Sequence, residues 1–188
     1  MRTGPPIRRT PAWHRWKPQW VARDRSWSQR LHRRATARPL LLRAAVGVSH
    51  LSDGMIWYAA ILLLPWFGGP HGSACALRML GLGVLNLIIY TILKRHFARP
   101  RPYVDCPDIR ACARSLDEYS FPSGHAMHAV AFSSLLVAYY PVLAWVLWPF
   151  AAIVALSRVV LGLHYPSDVA VGAVLGWLTA KAMLVLLF

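Results

Sequence analysis

Two histidines and one carboxylate in the C-terminal half of the chain stand at spacings that suit nucleophilic chemistry. His164 precedes Asp168 by four residues, with Pro166 between them. Proline fits the first turn of a helix, so the carboxylate can reach back to one ring nitrogen of His164. That contact would fix the tautomer, present the other nitrogen as a nucleophile and stabilise the cation formed on attack. His125 closes the run Phe121-Pro122-Ser123-Gly124-His125, which reads as the opening of a helix. There the first N–H groups lack intrahelical acceptors, the helix dipole favours negative charge, and Gly124 lets an anion approach the backbone. His125, beside that cradle, is the candidate acid and, in a second step, the candidate base.

Three cations complete the set. Arg101 and Arg158 can each offer a planar fork to phosphate oxygens, and Lys94 adds a compact point charge. Ser123, Gly124, Lys94, Arg101 and Arg158 are therefore read as phosphate-binding, and His164, His125 and Asp168 as catalytic. The remaining histidines weighed in the same way, His50, His71, His96 and His128, have no charged partner at a useful spacing and read as structural residues.

The elements that must position these groups are membrane helices. The chain has 188 residues, 56% of them hydrophobic, and from Tyr119 to Phe188 only Arg158, Asp168 and Lys181 carry a formal charge. That is bilayer composition. Residues 39–52 read as an amphipathic entry helix, too short and too interrupted by Arg43 and His50 to cross. Crossings are expected over 55–67, 74–93, 122–140, 142–163 and 166–187, the last four near the ~20 residues that hydrocarbon demands. The fold class is thus an all-α, polytopic transmembrane bundle of about five to six helices. Following the crossings puts Lys94, Arg101, Ser123, His125, Arg158, His164 and Asp168 at one membrane surface. Ionisable groups near the ends of apolar spans are costly unless paired or solvated, so seven on one face, three of them cations, call for an anionic ligand.

Two regions organise the chain: a basic, Trp/Arg/Pro-rich arm over 1–38 and a membrane-embedded unit over 39–188. The net charge is +14, and 11 of the 21 Lys and Arg fall within the arm. No nucleic-acid-binding module accompanies that charge, so nucleic acid is not an expected partner. An arm with Trp13, Trp16, Trp20 and Trp27 among its arginines is expected to be disordered or interfacial, in contact with anionic lipid headgroups. It lacks the apolar core of a secretory signal peptide. Three cysteines cannot build a disulfide framework, although Cys106 and Cys112 share one polar loop and could bridge in an oxidising compartment.

Lys94-Arg95-His96-Phe97-Ala98-Arg99-Pro100-Arg101-Pro102, then PSGH at 122–125, then Ser157-Arg158 with His164 and Asp168, resemble in order the three signature motifs of the type 2 phosphatidic acid phosphatase (PAP2) family. The resemblance implies metal-independent hydrolysis of a lipid phosphate monoester or diphosphate through a phosphohistidine, without a cofactor or metal. It implies His164 as nucleophile, Asp168 as its partner, His125 as acid, and Lys94, Arg101, Ser123, Gly124 and Arg158 as phosphate ligands. Prenyl diphosphate, phosphatidate, phosphatidylglycerophosphate and lipid A phosphates are the substrates it brings into view. A multi-pass protein of the inner cell membrane with its site at the outer face is the matching expectation, although the positive-inside rule alone would turn that face to the cytoplasm. The alternatives are phosphotransfer to a lipid or sugar hydroxyl through the same phosphohistidine, and a noncatalytic phospholipid-binding membrane protein.

Overall fold

A computed structural model describes Trp13, Trp16 and residues 18–186 apart from Leu116. The described residues are helical, with no strand. In chain order the helices are α1 (Pro18–Thr36), α2 (Pro39–Leu51), α3 (Met55–Phe67), α4 (Gly72–Phe97), α5 (Pro102–Asp105), α6 (Gly124–Tyr139), α7 (Ala144–Val160) and α8 (Pro166–Leu186). Short 3-10 turns at Gly69–His71 and Pro141–Leu143 lead into α4 and α7.

Among the described residues, three stretches are long and apolar enough to cross a membrane: 69–105, which contains α4; Pro141–Val160; and Pro166–Leu186. α2 and α3 pass the same test only as a pair, bent by 46° at the turn between them. α6 is shorter than the crossing expected for its segment and is not among these stretches. Ser123 caps it and Tyr140, non-helical before Pro141, ends it, so it has 16 residues and spans about 24 Å against a hydrocarbon core of ~30 Å. α6 tolerates this because it is the central helix, packed against α4, α7 and α8. Nine of its residues are buried, including Ala126, Ala129, Phe132 and Leu135.

The main core joins Trp57 of α3, Cys75, Met79 and Leu82 of α4, Phe132 and Leu135 of α6, Val154 of α7 and Ala180 of α8. Outside it, large apolar side chains such as Leu62, Trp66, Leu77, Ile92, Trp145 and Val185 are exposed on the outer surfaces of the bundle. A lipid-facing surface is the physical reason for such a distribution, since tails are as apolar as the side chains themselves. α6 and α8 approach so closely that a Cβ on Gly176 would lie 2.2 Å from the carbonyl oxygen of Met127, and one on Gly172 2.5 Å from that of Ser123.

Residues 18–36 correct part of the sequence-based picture. Instead of a disordered segment they form α1, which buries Ser28, His32 and Ala35 against the rest of the protein. His32 Nδ1 lies 2.9 Å from the carbonyl oxygen of Val160, and Arg25 pairs with Asp105 at 2.8 Å. The sequence-based expectation for the first twelve residues of the arm lies outside the described residues. α2 rests across the end of α7, where Leu42, Ala45 and Val46 meet Val160, Leu161 and Leu163. Cys106 and Cys112 are both free; Cys106 is buried with Ile109 and Tyr165.

The α6–α8 contact carries a test. Gly176→Val, which must push the two backbones apart, should destabilise the protein by about 1–3 kcal/mol, read as a lowered unfolding temperature in detergent, while Gly47→Ala, where a Cβ meets nothing within 4 Å, should not.

Candidate active site

The C-terminal ends of α4 and α7 and the N-terminal ends of α6 and α8 meet at one end of the bundle, and the α4–α6 and α7–α8 connections fold over them. His164 lies in the short link between α7 and α8. A turn at Gly162, with a φ of 75°, brings it inward, and a Cβ there would lie 2.7 Å from the carbonyl oxygen of Arg110, so only glycine suits the position. Lys94, Arg101, Gly124, His125, Arg158 and His164 all line a single cavity of about 410 Å³, together with Asp53 and Asp117. Ser123 and Asp168 stand behind that wall, both fully buried.

The tautomer of His164 has a different origin from the one its spacing implies. Its Nδ1 is 2.7 Å from the carbonyl oxygen of Ser120, whereas Asp168 Oδ2 is 3.8 Å away. A carbonyl can only accept, so Nδ1 carries the proton and Nε2 is left with its lone pair. Asp168 acts as a nearby charge: its Oδ2 accepts the N–H of Tyr165 at 2.8 Å and its Oδ1 accepts Arg99 Nη1 at 2.6 Å. Burial first, and the cations Arg101, Lys94 and Arg158 next, hold the His164 imidazole well below its ordinary pKa and therefore neutral. A neutral imidazole with a free Nε2 is the form that can attack.

The cation cluster is buried and partly occupied. Lys94 is 5% exposed, Arg101 and Arg158 1% each. Arg101 Nη1 is 3.3 Å from His164 Nε2 and donates to the carbonyl of Leu163 at 2.7 Å. Lys94 Nζ and Arg101 Nη2 both donate to the same oxygen, Asp117 Oδ1, at 2.7 Å each. One carboxylate oxygen bridging two cations is the arrangement a phosphate oxygen would adopt. Arg158 donates from Nη1 to Ser49 Oγ, while its buried Nε has no partner among the described residues. An orphaned buried guanidinium donor is costly, and an incoming anion would satisfy it.

His125 faces the same cavity from the first turn of α6, with Nε2 2.6 Å from Asp53 Oδ1. Asp53 sits in the turn between α2 and α3 and orients the ring. Ser123 is the N-cap of α6: its Oγ accepts the N–H of Ala126 at 3.5 Å, which leaves its O–H as a donor, and its own N–H donates to the carbonyl of Asp168. Pro122 lies before that cap. His128 bonds within its own helix, Nδ1 to the carbonyl of Gly124 at 2.9 Å.

The sequence matches a family model described as PAP2 superfamily over residues 75–188. The chain belongs to the PAP2 superfamily. Decaprenylphosphoryl-5-phosphoribose phosphatase of Mycobacterium tuberculosis is 35% identical over 141 residues, 74% of this chain and 76% of that protein. Undecaprenyl-diphosphatase BcrC of Bacillus subtilis is 30% identical over 116 residues, 61% of this chain and 60% of that one. The crystal structure of a transmembrane PAP2-type phosphatidylglycerolphosphate phosphatase from Bacillus subtilis superposes with a TM-score of 0.70 at 24% identity, covering 89% of this chain and 85% of that one. The fold is therefore that of PAP2 membrane phosphatases, and this PAP2 protein is a hydrolase of phosphoric esters.

Several groups that shape the PAP2 site escape a reading of the motifs: Asp53, Arg99, Asp117 and the backbone of Ser120. The acids had a signal, since the whole chain has only seven and five of them form ion pairs in or beside this site. The Ser120 carbonyl had none, because every residue has one.

Asp117 gives a pH prediction. Partial desolvation raises the carboxyl pKa, but Lys94 and Arg101 outweigh that and hold it below the usual carboxylate range. A depressed folded pKa contributes stability that is present above the unfolded value and lost as the pH falls through the folded one. In detergent, Asp117→Asn should lower the unfolding temperature at pH 7, and the gap to the unaltered protein should close only below about pH 4.

Proposed function

We propose that the chain removes phosphate from a polyprenyl-linked lipid phosphate or diphosphate through a phosphohistidine on His164, without a metal. The observation that carries this reading is His164, its Nδ1 2.7 Å from the Ser120 carbonyl oxygen, in one cavity with Lys94, Arg101 and Arg158. The phosphoryl group displaces Asp117 from Lys94 and Arg101 and takes up Arg158 Nε. Nε2 then attacks phosphorus as the bond to the leaving oxygen breaks, and His125, oriented by Asp53, gives that oxygen its proton. Water attacks the phosphohistidine next; the N–P bond breaks, His164 returns to neutrality and His125 takes the water's proton. Asp168 supplies the counter-charge for the imidazolium in between.

The lipid character follows from the rest of the cavity. Below the cations it runs between α3, α4 and α6 along Trp57, Ile61, Met79, Val84, Leu87 and Phe132. An apolar passage beginning at a phosphate site suits a headgroup held above a hydrocarbon tail. The names of the Mycobacterium tuberculosis and Bacillus subtilis relatives both carry a polyprenyl group, which supports that tail here.

Phosphate release in EDTA should be fastest with polyprenyl phosphates and diphosphates in a screen that includes phosphatidate, phosphatidylglycerophosphate and lipid A phosphates. His164→Ala should lower kcat by at least ~10³-fold, and retention of activity by that variant would sink the phosphohistidine.

We also infer a protein of the inner cell membrane with its catalytic face toward the cytoplasm, opposite to the outward expectation that comes with the resemblance. α1 docks on the catalytic face and exposes Arg23, Arg30, Arg33 and Arg34 there, beside Trp20 and Trp27, a composition suited to anionic headgroups. At the far end α4 and α8 carry Arg78 and Lys181. That asymmetry is the positive-inside pattern. Cys112 is the half-buried thiol of the catalytic face, whereas Cys75 and Cys106 are buried. A membrane-impermeant maleimide should label Cys112 in inverted vesicles and leave it unlabelled in intact cells; labelling in intact cells reverses the assignment.

A further inference from the structure

Arg99 lies two residues before the phosphate-binding Arg101 but turns away from the cavity. It is 2% exposed and lies between two rings, its guanidinium carbon 3.8 Å from the centroid of Tyr165 and 4.7 Å from that of Trp16. Its two terminal nitrogens serve two different carboxylates. Nη1 donates to Asp168 Oδ1 at 2.6 Å and to Ser167 Oγ at 2.8 Å, and Nη2 donates to Asp24 Oδ2 at 2.8 Å.

Asp24 belongs to α1, 144 residues before Asp168 in the chain, and it does more than share the arginine. Its Oδ1 accepts the N–H of Ser167 at 3.1 Å, and its Oδ2 accepts the hydroxyl of the same serine. Ser167 is the second residue of α8, so Asp24 caps that helix from another element, satisfying a first-turn N–H with a negative charge at the positive end of the dipole. Asp168 stands in the same turn and reaches back to the N–H of Tyr165. The position of the carboxylate beside His164 is thus set from both sides, by its own backward bond and by α1.

The charge balance is equally specific. Arg99 alone would neutralise Asp168. Divided between Asp168 and Asp24, it leaves the trio with one net negative charge, available to the imidazolium that forms on His164. The other groups around His164 are Lys94, Arg101, Arg158, His125 and Asp117, three cations among them, so this residual charge is what favours the cationic ring.

We propose that Asp24 is a positioning residue for catalysis: through Arg99 and Ser167, α1 holds Asp168 in place and keeps its charge incompletely neutralised, making the N-terminal helix a working part of the active site. This rests on His164 as nucleophile, a reading that fails separately if His164→Ala turns over substrate.

The test compares Asp24→Asn, Asp24→Glu, Arg99→Lys and the control Arg30→Ala in the full-length protein, measuring kcat, KM, the pH profile of kcat/KM and unfolding temperature. Asp24→Asn should lower kcat about tenfold with KM changed less than about twofold, and move the acidic limb of the profile about half a pH unit lower. Asp24→Glu, which restores the charge, should return the limb to its original position. Arg99→Lys cannot bridge both carboxylates and should lower kcat without the same downward shift of the limb, since Asp168 is then less neutralised. An Asp24→Asn protein with unchanged kcat and pH profile overturns the proposal. So does one whose only change is a lower unfolding temperature. Should Asp24→Asn fail to fold, an Arg99→Lys variant with unaltered kcat and pH profile is the overturning result.

Discussion

Four cations, Lys94, Arg99, Arg101 and Arg158, are buried at one end of an apolar bundle, none more than 5% exposed. Isolated, they would repel one another and carry a desolvation cost of several kcal/mol each. The end of the molecule is built to answer that constraint. Asp117 bridges Lys94 and Arg101, Asp168 and Asp24 divide Arg99, and Ser49 meets Arg158. Of the fully buried donor atoms of these four cations, Arg158 Nε is the one left without a protein acceptor among the described residues. In the proposed reading, binding of a phosphoryl group would at the same time relieve this positive potential.

Helix placement follows from the same need. Charges from α4, α6, α7 and α8 can converge only if the helices approach closely at that end, which is why glycines of α8 rest on the backbone of α6. Large apolar residues elsewhere are free to face lipid. α6, shielded on three sides, can be shorter than the bilayer because its ends meet protein rather than hydrocarbon.

Much of this was legible in the sequence because its chemistry is written in rare residues. In a chain so poor in charge, Lys94, Arg101, Arg158, His164 and Asp168 could be placed on one surface by following the crossings. His125 came with its helix opening. The illegible parts depend on distance in space. Asp24 gives no signal in the sequence because its partners, Arg99 and Ser167, lie far along the chain. The N-cap bond of Ser123 was not legible because a hydroxyl at a helix start can accept from the helix and donate to an anion, and only coordinates show the first. The bend between α2 and α3 hid Asp53, which belongs to neither helix.

The bond from His164 Nδ1 to the carbonyl of Ser120 has an evolutionary side. A side-chain acceptor can be lost to a single base change, whereas a carbonyl survives any substitution at its position. What it cannot survive is displacement, and Ser120 is fixed by its N–H and hydroxyl, which donate to the carbonyls of Arg99 and Pro100. Only two residues, Phe121 and Pro122, separate it from the cap of α6. Descendants of this chain can therefore vary the composition of that stretch more freely than its length: an inserted or deleted residue between 120 and 123 would displace the carbonyl that decides which nitrogen of His164 holds the proton.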